Sequence, residues 1–154
     1  MHRILLTGSS GFVGSNITRS FSEKYKIYVI VRKKPSKEFL KKKNIKIIRF
    51  HSYESLNFKL KKLRVDTVVH CATHYVKSHI FSDIKKFCYS NLLLGNVILE
   101  NLKYMKVSKF INFSTVWEDS NAKKNNLENL YTVYKKSFSL ILGYYKKNFK
   151  KISF

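Results

Sequence analysis

The chain has 154 residues, 44% of them hydrophobic, and a formal net charge of +22 from 31 Lys and Arg against 9 Asp and Glu. This length fits one domain over residues 1–154, and the hydrophobic fraction excludes a disordered chain. The apolar runs are too short to span a bilayer or to form a signal peptide, and two cysteines make no disulfide framework, so we expect a cytoplasmic protein.

Hydrophobic segments in the first half of the chain alternate between strand-like and helix-like spacing. The pattern predicts helical segments over residues 15–24 and 56–63. It also predicts four short buried strands, over residues 3–7, 26–31, 44–50 and 65–70. Between the second and third strands, a basic stretch that contains Pro35 and Phe39 is expected to form a connection or a short helix.

The second half continues this alternation. We predict, in chain order, one long helix, a fifth strand, a polar loop, a further helix and the start of a sixth strand, over residues 82–105, 109–114, 117–129, 130–145 and 149–154. Strands that alternate with helices are typical of parallel sheets with helices on both faces. The predicted fold class is therefore a doubly wound α/β domain of the Rossmann type, with strand order 3-2-1-4-5 and the sixth strand at its edge.

Three of the five glycines, Gly8, Gly11 and Gly14, lie within seven residues between the first strand and the first helix. In this position one glycine permits a tight turn, another lets backbone N–H groups approach a pyrophosphate, and the third lets the helix pack on the strand. The helix N-terminus then faces the phosphates. A structural turn without a ligand would use the same glycines, but the context favours dinucleotide binding by the turn residues Gly8, Ser10, Gly11, Phe12, Val13 and Gly14.

The turn reads Thr-Gly-x-x-Gly-Phe-x-Gly from Thr7, and it resembles the extended short-chain dehydrogenase/reductase family, the NAD-dependent epimerases and dehydratases of nucleotide sugars. Four later segments resemble motifs of this family in the same order. They are the strand that ends in His-x-Ala, the Asn-x-x-Gly-Thr helix start, the strand with the catalytic Ser or Thr, and the Tyr-x-x-x-Lys helix, at residues 66–72, 91–96, 110–117 and 130–135. The resemblance covers residues 4 to about 145 and implies epimerase, dehydratase or ketoreductase chemistry on a nucleotide sugar.

The catalytic residues that the resemblance implies are Tyr131 and Lys135, which are four residues apart and therefore on one face of a helix. In this chemistry the lysine lowers the phenol pKa and can hold the nicotinamide ribose, while the tyrosine moves a proton as hydride passes to or from the cofactor. A Ser or Thr hydroxyl orients the sugar oxygen, and a Thr-x-Trp pattern in some relatives selects Thr115 ahead of Ser114. An ordinary surface Tyr and Lys, and strand-end hydroxyls without a catalytic role, remain the alternatives.

Further cofactor contacts follow from the resemblance. Cys71 and Ala72 end the fourth strand beside the cofactor, and Asn91 starts the next helix, where a plain helix cap is the alternative. NAD-binding members end the second strand in an acidic residue that binds the adenosine ribose. This chain has Arg32 there, which can pair with a 2′-phosphate, so we predict that NADP(H) is preferred over NAD(H). His51 stands where relatives often carry an Asp that contacts adenine.

The loop after the fourth strand faces the substrate in relatives, so the resemblance makes His74 and Tyr75 candidate substrate contacts. His70, Cys71 and His74, with Cys88 further along the chain, are residue types that bind metals, but no Cys-x-x-Cys pair or second ligand cluster accompanies them. We therefore predict no metal site.

The positive charge favours anionic partners, but the basic residues are spread along the chain without a helix-turn-helix, zinc-finger or RNA-binding motif. We interpret the charge as a lysine-rich solvated surface, and we predict no specific nucleic-acid or membrane partner. Two alternatives to an enzyme stay open: a dinucleotide-binding module without catalysis and a basic polyanion-binding protein. Family members are longer, and their second half supplies later strands and the domain that grips the sugar nucleotide. We therefore expect a homo-oligomer or a partner chain to cover the truncated sheet edge.

Overall fold

Five parallel strands form one sheet in the computed structural model, which describes residues 1–32, Phe39, 42–117 and 129–154. The strands are β1 (Arg3–Thr7), β2 (Lys26–Val31), β3 (Ile45–Arg49), β4 (Thr67–His70) and β5 (Lys109–Asn112). Their order, β3-β2-β1-β4-β5, confirms the predicted topology and the Rossmann-type fold class. The predicted connection around Pro35 and most of the predicted loop over residues 117–129 lie outside the described residues.

Six α-helices accompany the sheet in the described part of the chain. They are α1 (Phe12–Phe21), α2 (Tyr53–Lys61), α3 (Phe81–Phe87), α4 (Leu94–Glu100), α5 (Leu102–Met105) and α6 (Leu130–Asn148). Polar side chains cap two of them: Ser52 accepts a hydrogen bond of 3.2 Å from the Ser55 N–H, and Asn129 accepts one of 2.9 Å from the Thr132 N–H. Such caps satisfy N–H groups that the first turn of a helix cannot pair, so they fix where α2 and α6 begin.

The helix predicted over residues 82–105 is not continuous, and in this respect the prediction was wrong. A π-helical segment, Cys88–Leu93, separates α3 from α4, and Asn101 separates α4 from α5. Three residues stand between Asn91 and Gly95, whereas the family motif has two. A π turn takes up one extra residue inside a helix, so both Asn91 and Gly95 remain buried despite the longer spacing.

The core lies on both faces of the sheet, as expected for parallel strands. On one face, Leu5, Val68 and Phe110 pack in a large cluster with residues of α2, α4, α5 and α6. On the other face, Ile4 and Val69 belong to a smaller cluster that includes residues of β2, β3 and α1. The strand registers bring the three residues of the large cluster side by side, because Leu5 pairs with Val68 and Val68 pairs with Phe110.

The second face is less fully covered next to β5. An apolar groove of about 460 Å³, the β5 groove, lies there; its apolar lining comes from Ile4, Ile17, Phe21, Val69, Ile111 and Phe113. Ile111 in β5 and Phe113 directly after it are 41% and 39% exposed, whereas Phe110, on the opposite face of β5, is 2% exposed. The exposed apolar surface of β5 is therefore concentrated on the face away from α6.

The C-terminal residues run beside β5 without forming a full strand. Ser153 makes a parallel bridge with Lys109, and its carbonyl accepts a hydrogen bond of 2.7 Å from the Phe110 N–H. The sixth strand predicted over residues 149–154 is thus reduced to one bridge.

Among the described residues, no helix is both long and apolar enough to span a bilayer.

Candidate cofactor and catalytic site

The carboxyl ends of β1, β4 and β5 meet at one edge of the sheet. Thr7 pairs with His70, and His70 pairs with Asn112, so these three strands end level with one another. The glycine turn, the loop after β4 and the loop after β5 therefore leave the sheet side by side. In open α/β sheets, ligands bind in the crevice outside these carboxyl ends.

The glycine turn requires glycine at two positions for steric reasons. Gly8 has a φ of +71°, and a Cβ there would lie 2.7 Å from the Ala72 nitrogen. A Cβ on Gly14 would collide with the Gly8 carbonyl oxygen. The turn closes through a hydrogen bond of 3.0 Å from the Gly11 N–H to the Gly8 oxygen. The first glycine thus lets β1 approach the loop after β4, and the third lets α1 approach the turn.

The N-terminus of α1 is suited to a phosphate group. Gly11 is the N-cap and offers no side-chain cap, and the first turn contains no acidic residue. The first N–H groups of a helix have no partner within the helix, and the helix dipole favours an anion at this end. Ser10 and Phe12 are exposed at the turn. The turn therefore fits the pyrophosphate of a dinucleotide.

A buried polar network joins the ends of β1 and β4. The Thr7 hydroxyl shares a hydrogen bond of 2.9 Å with His70 Nδ1 and accepts one of 3.0 Å from the Ala72 N–H. Burial, together with the charge of Lys135, lowers the pKa of His70 to about 3, so the ring is neutral near pH 7. Burial also raises the pKa of the Cys71 thiol to about 11. These neutral hydrogen bonds therefore hold the end of β1, where the glycine turn begins, against the start of the loop after β4.

The predicted catalytic pair lies on the first turns of α6 and is buried. Tyr131 is 9% exposed and Lys135 is 7% exposed. The Lys135 ammonium donates a hydrogen bond to the carbonyl oxygen of Phe113, directly after β5. A buried lysine needs such partners, because desolvation disfavours its charge. This contact places the lysine at the carboxyl edge of the sheet, where the glycine turn also lies, so an ordinary surface pair is excluded.

The two candidate hydroxyls lie beyond the strand that was expected to contain Ser114. β5 ends at Asn112, and Ser114 and Thr115 belong to the following loop, where Ser114 is exposed and Thr115 is half-buried. The Trp117 N–H donates a long hydrogen bond of 3.5 Å to Thr115 Oγ1. Both hydroxyls are thus near the carboxyl end of β5, and the choice between them stays a prediction.

Asn91 and Asp83 position the loop after β4. The Asn91 side chain accepts a hydrogen bond of 2.6 Å from the His74 N–H and donates one of 3.0 Å to the His74 oxygen. Asn91 lies inside the π-helical segment, so both the predicted helix start at Asn91 and the alternative of a plain helix cap were wrong. Asp83 Oδ1 lies 3.1 Å from His74 Nε2. Hydrogen bonds from Lys86 and from the Ile80 N–H lower the pKa of Asp83 to about 2, which keeps it ionised.

Sequence reasoning missed the role of Asp83. A carboxylate three residues before a lysine on a helix is usually a surface pair, and nothing in the local sequence connects it to His74. The only available indication was its rarity, because the chain has 9 acidic residues among 154.

Arg32 lies at the other end of the site, at the carboxyl end of β2. Its guanidinium donates a hydrogen bond of 3.4 Å to Ser90 Oγ. It lines an open groove of about 1150 Å³ together with His51, Tyr53 and Tyr89. This groove begins where the adenosine end of a dinucleotide lies in Rossmann folds. Among the described residues, no group of three His, Cys, Asp or Glu side chains could hold a metal ion.

Comparison with known proteins identifies the family. The sequence model of the NAD-dependent epimerase/dehydratase family matches residues 4–153. The chain belongs to this family. CDP-abequose synthase from Yersinia pseudotuberculosis is 32% identical over 147 residues, which are 94% of this chain and 51% of that protein. The chain thus spans about half the length of this curated relative.

Solved structures of epimerases share the fold. UDP-glucuronic acid 4-epimerase from Bacillus cereus, determined in complex with NAD, superposes with a TM-score of 0.74 at 25% identity, over 96% of this chain and 52% of that one. An epimerase from Methanothermobacter thermautotrophicus gives a TM-score of 0.80 at 22% identity, over 97% of this chain and 48% of that one. These superpositions show that the chain has the fold of the corresponding half of these epimerases.

Proposed function

We propose that the chain is the cofactor-binding and catalytic part of an NAD(P)-dependent epimerase, dehydratase or ketoreductase that exchanges hydride at a carbon of a nucleotide sugar. The observation that carries this proposal is the burial of Tyr131 and Lys135 at the same sheet edge as the glycine turn. The position of the pair at the edge that carries the predicted dinucleotide-binding turn would give the tyrosine a hydride carrier as its neighbour.

The nicotinamide cofactor, when bound, supplies the hydride acceptor and donor. Gly8, Gly11 and Gly14 would admit its pyrophosphate to the N-terminus of α1, with Ser10, Phe12 and Val13 on the same turn. Cys71 and Ala72 would contact the cofactor from the end of β4. Asn91 would support the loop that follows Cys71 and Ala72, because its side chain makes two hydrogen bonds with the backbone of His74.

Tyr131 would move the proton. Its phenol serves as general acid or base for the sugar oxygen, which must approach within hydrogen-bonding distance. Lys135 would stabilise the phenolate by its charge and hold the ribose, while its bond to the Phe113 carbonyl fixes where the ammonium lies. Thr115, or Ser114 in its place, would orient the sugar oxygen. His74 and Tyr75 would contact the substrate from the loop after β4.

We further propose that NADP(H) is preferred over NAD(H). Arg32 lines the groove at the carboxyl end of β2, and a guanidinium can bind a 2′-phosphate through two parallel hydrogen bonds. Dissociation constants for both oxidised cofactors test this preference, and tighter binding of NAD⁺ would contradict it.

The cytoplasmic location also remains a prediction, which cell fractionation tests.

A second candidate, a dinucleotide-binding module without catalysis, is favoured by one observation. The chain spans 51% of the length of CDP-abequose synthase, one of its curated relatives, and therefore corresponds to only part of that protein. The exposed apolar lining of the β5 groove supports a homo-oligomer or a partner chain at this place. Size-exclusion chromatography with light scattering distinguishes a monomer from these assemblies.

One screen separates the two candidates. The purified full chain is titrated with NAD⁺, NADP⁺ and their reduced forms, and then assayed with UDP-, CDP- and dTDP-linked sugars. Turnover of any of these sugars supports the enzyme, whereas cofactor binding without turnover supports the module. Nucleic-acid binding that falls steeply with salt, without cofactor binding, would instead support a polyanion-binding protein.

A further inference from the structure

Two exposed aromatic side chains from different loops meet beside Tyr131. Tyr75, after β4, is 49% exposed, and Trp117, after β5, is 39% exposed. Their ring centroids are 6.1 Å apart. The Tyr131 ring is nearly perpendicular to both, at 4.9 Å from Tyr75 and 6.4 Å from Trp117, with interplanar angles of 82° and 88°.

Exposing two large aromatic rings leaves apolar area in water that the core could have buried. The pair nevertheless lies at the carboxyl edge, on loops that leave the sheet beside the glycine turn. Tyr131 itself is only 9% exposed. A substrate oxygen that reaches the Tyr131 hydroxyl must therefore bring its neighbouring atoms close to these rings.

We propose that Tyr75 and Trp117 form an aromatic wall on which the sugar ring of the substrate packs. The proposal rests on the proposed function and names a binding element for it. One face of a pyranose presents C–H groups with partial positive charge, and the face of an aromatic ring is negative, so the two surfaces attract as they exclude water. The wall also selects among sugars, because an axial hydroxyl on that face prevents close packing.

The ring that packs on the aromatic wall is the sugar rather than the base, because only the sugar lies close to the oxygen that exchanges a proton with Tyr131. Proton transfer requires the reacting oxygen within about 3 Å of the Tyr131 hydroxyl. The atoms within one ring diameter of that oxygen are those of the sugar. The base is separated from them by a ribose and two phosphates, so it lies beyond the reach of rings that touch Tyr131.

The chain contains one tryptophan, which makes Trp117 a spectroscopic reporter of its own role. The full chain, saturated with the oxidised cofactor that binds more tightly, is titrated with UDP-, CDP- and dTDP-glucose and with the free nucleoside diphosphates. We expect the nucleotide sugar that binds to change Trp117 emission beyond the change from its own diphosphate. Calorimetry then gives the dissociation constant, which should rise about tenfold in Trp117→Ala and in Tyr75→Leu, because each variant loses an apolar surface that the sugar covers. A tenfold rise corresponds to about 1.4 kcal/mol.

Matched variants separate packing from folding. Trp117→Phe keeps an aromatic face and should retain most of the affinity, while the affinity for the free diphosphate should stay the same in all variants. Tyr144→Leu removes a ring that is 64% exposed on α6 and should change neither constant. Equal affinity of Trp117→Ala and the unaltered chain for the nucleotide sugar overturns the wall and leaves the proposed function intact. Cofactor binding without binding of any nucleotide sugar overturns both.

Discussion

The two sides of the carboxyl edge are built from different kinds of group. On the cofactor side, at β1 and β4, the backbone makes the site: Gly8 and Gly14 are there because a Cβ would collide with neighbouring backbone. On the catalytic side, at β5 and α6, side chains make the site, and Tyr131 and Lys135 reach it from one helix turn. Substitution of these two glycines should therefore change stability and cofactor binding together, whereas removal of the Tyr131 hydroxyl should change turnover alone.

The largest effect is expected on the catalytic side. Tyr131→Phe removes the proton-transferring hydroxyl but keeps the ring that packs against Tyr75. Turnover of the nucleotide sugar found by the screen should fall about 10²–10⁴-fold, since general acid–base catalysis contributes that much. The melting temperature and the cofactor dissociation constant should stay nearly the same. Full activity in this variant would rule out the mechanism, and loss of folding would show that the two sides are not separable in this way.

The matching change on the cofactor side is Gly14→Ala. The added Cβ would collide with the Gly8 carbonyl oxygen, so either the turn or α1 must move. We expect the free energy of unfolding to fall by about 1–3 kcal/mol, as overpacking usually costs, and the cofactor dissociation constant to rise in parallel. Denaturant unfolding and cofactor titration measure the two effects.

Gly143→Ala is the control for this prediction. Gly143 also lies in a helix, but a Cβ there meets no atom within 4 Å from outside its own helix among the described residues. Alanine should therefore stabilise the chain by about 0.5–1 kcal/mol through helix propensity, without any change in cofactor binding. The comparison between the two sides fails if both glycine variants behave alike.

The cofactor side was the easier one to predict from sequence, and the reason is physical. A glycine cluster between a strand and a helix specifies backbone geometry through residue type alone, and alternating strands and helices predict a parallel sheet with right-handed connections. The π-helical segment was not predictable from a helical period. The three residues between Asn91 and Gly95 indicated an insertion, but only the packing determines where the helix takes it up.

The catalytic side depends on contacts between distant segments. Tyr131 meets Tyr75 and Trp117, and Asp83 meets His74, at sequence separations over which no local pattern acts. The position of Tyr131 and Lys135 could be proposed only because the motif order placed their helix after the fifth strand. Which hydroxyl assists them depends on a loop whose course the strand pattern does not specify.

The buried network on the cofactor side makes stability depend on pH. His70 has an ordinary pKa of 6.5 and a folded-state pKa of about 3, so between these values the unfolded chain binds a proton that the folded chain does not. Stability must therefore fall as the pH falls through this window, by about 2 kcal/mol between pH 7 and pH 5. Denaturant unfolding across this range measures the slope.

Two variants assign this slope to His70. His70→Asn retains a polar partner for the Thr7 hydroxyl but does not titrate, so its stability should depend less on pH than that of the unaltered chain. His79→Gln replaces an exposed histidine and should keep the full slope. An unchanged slope in His70→Asn would mean that other groups cause the pH dependence.

The smallest effect is expected for Arg32, at the end of the cofactor side that would hold the adenosine. There a side chain, rather than the backbone, would select between NADP⁺ and NAD⁺. Arg32 is exposed, and its guanidinium makes a long hydrogen bond of 3.4 Å to Ser90 Oγ. In Arg32→Gln, the NADP⁺ dissociation constant should rise about 5–10-fold, because a partly screened charge pair contributes about 1 kcal/mol, while NAD⁺ binding should not change. The melting temperature should also stay constant, since the side chain lies outside the core. A parallel loss for both cofactors would instead place Arg32 among the groups that shape the turn, and the selecting charge would then have to be sought elsewhere on the groove.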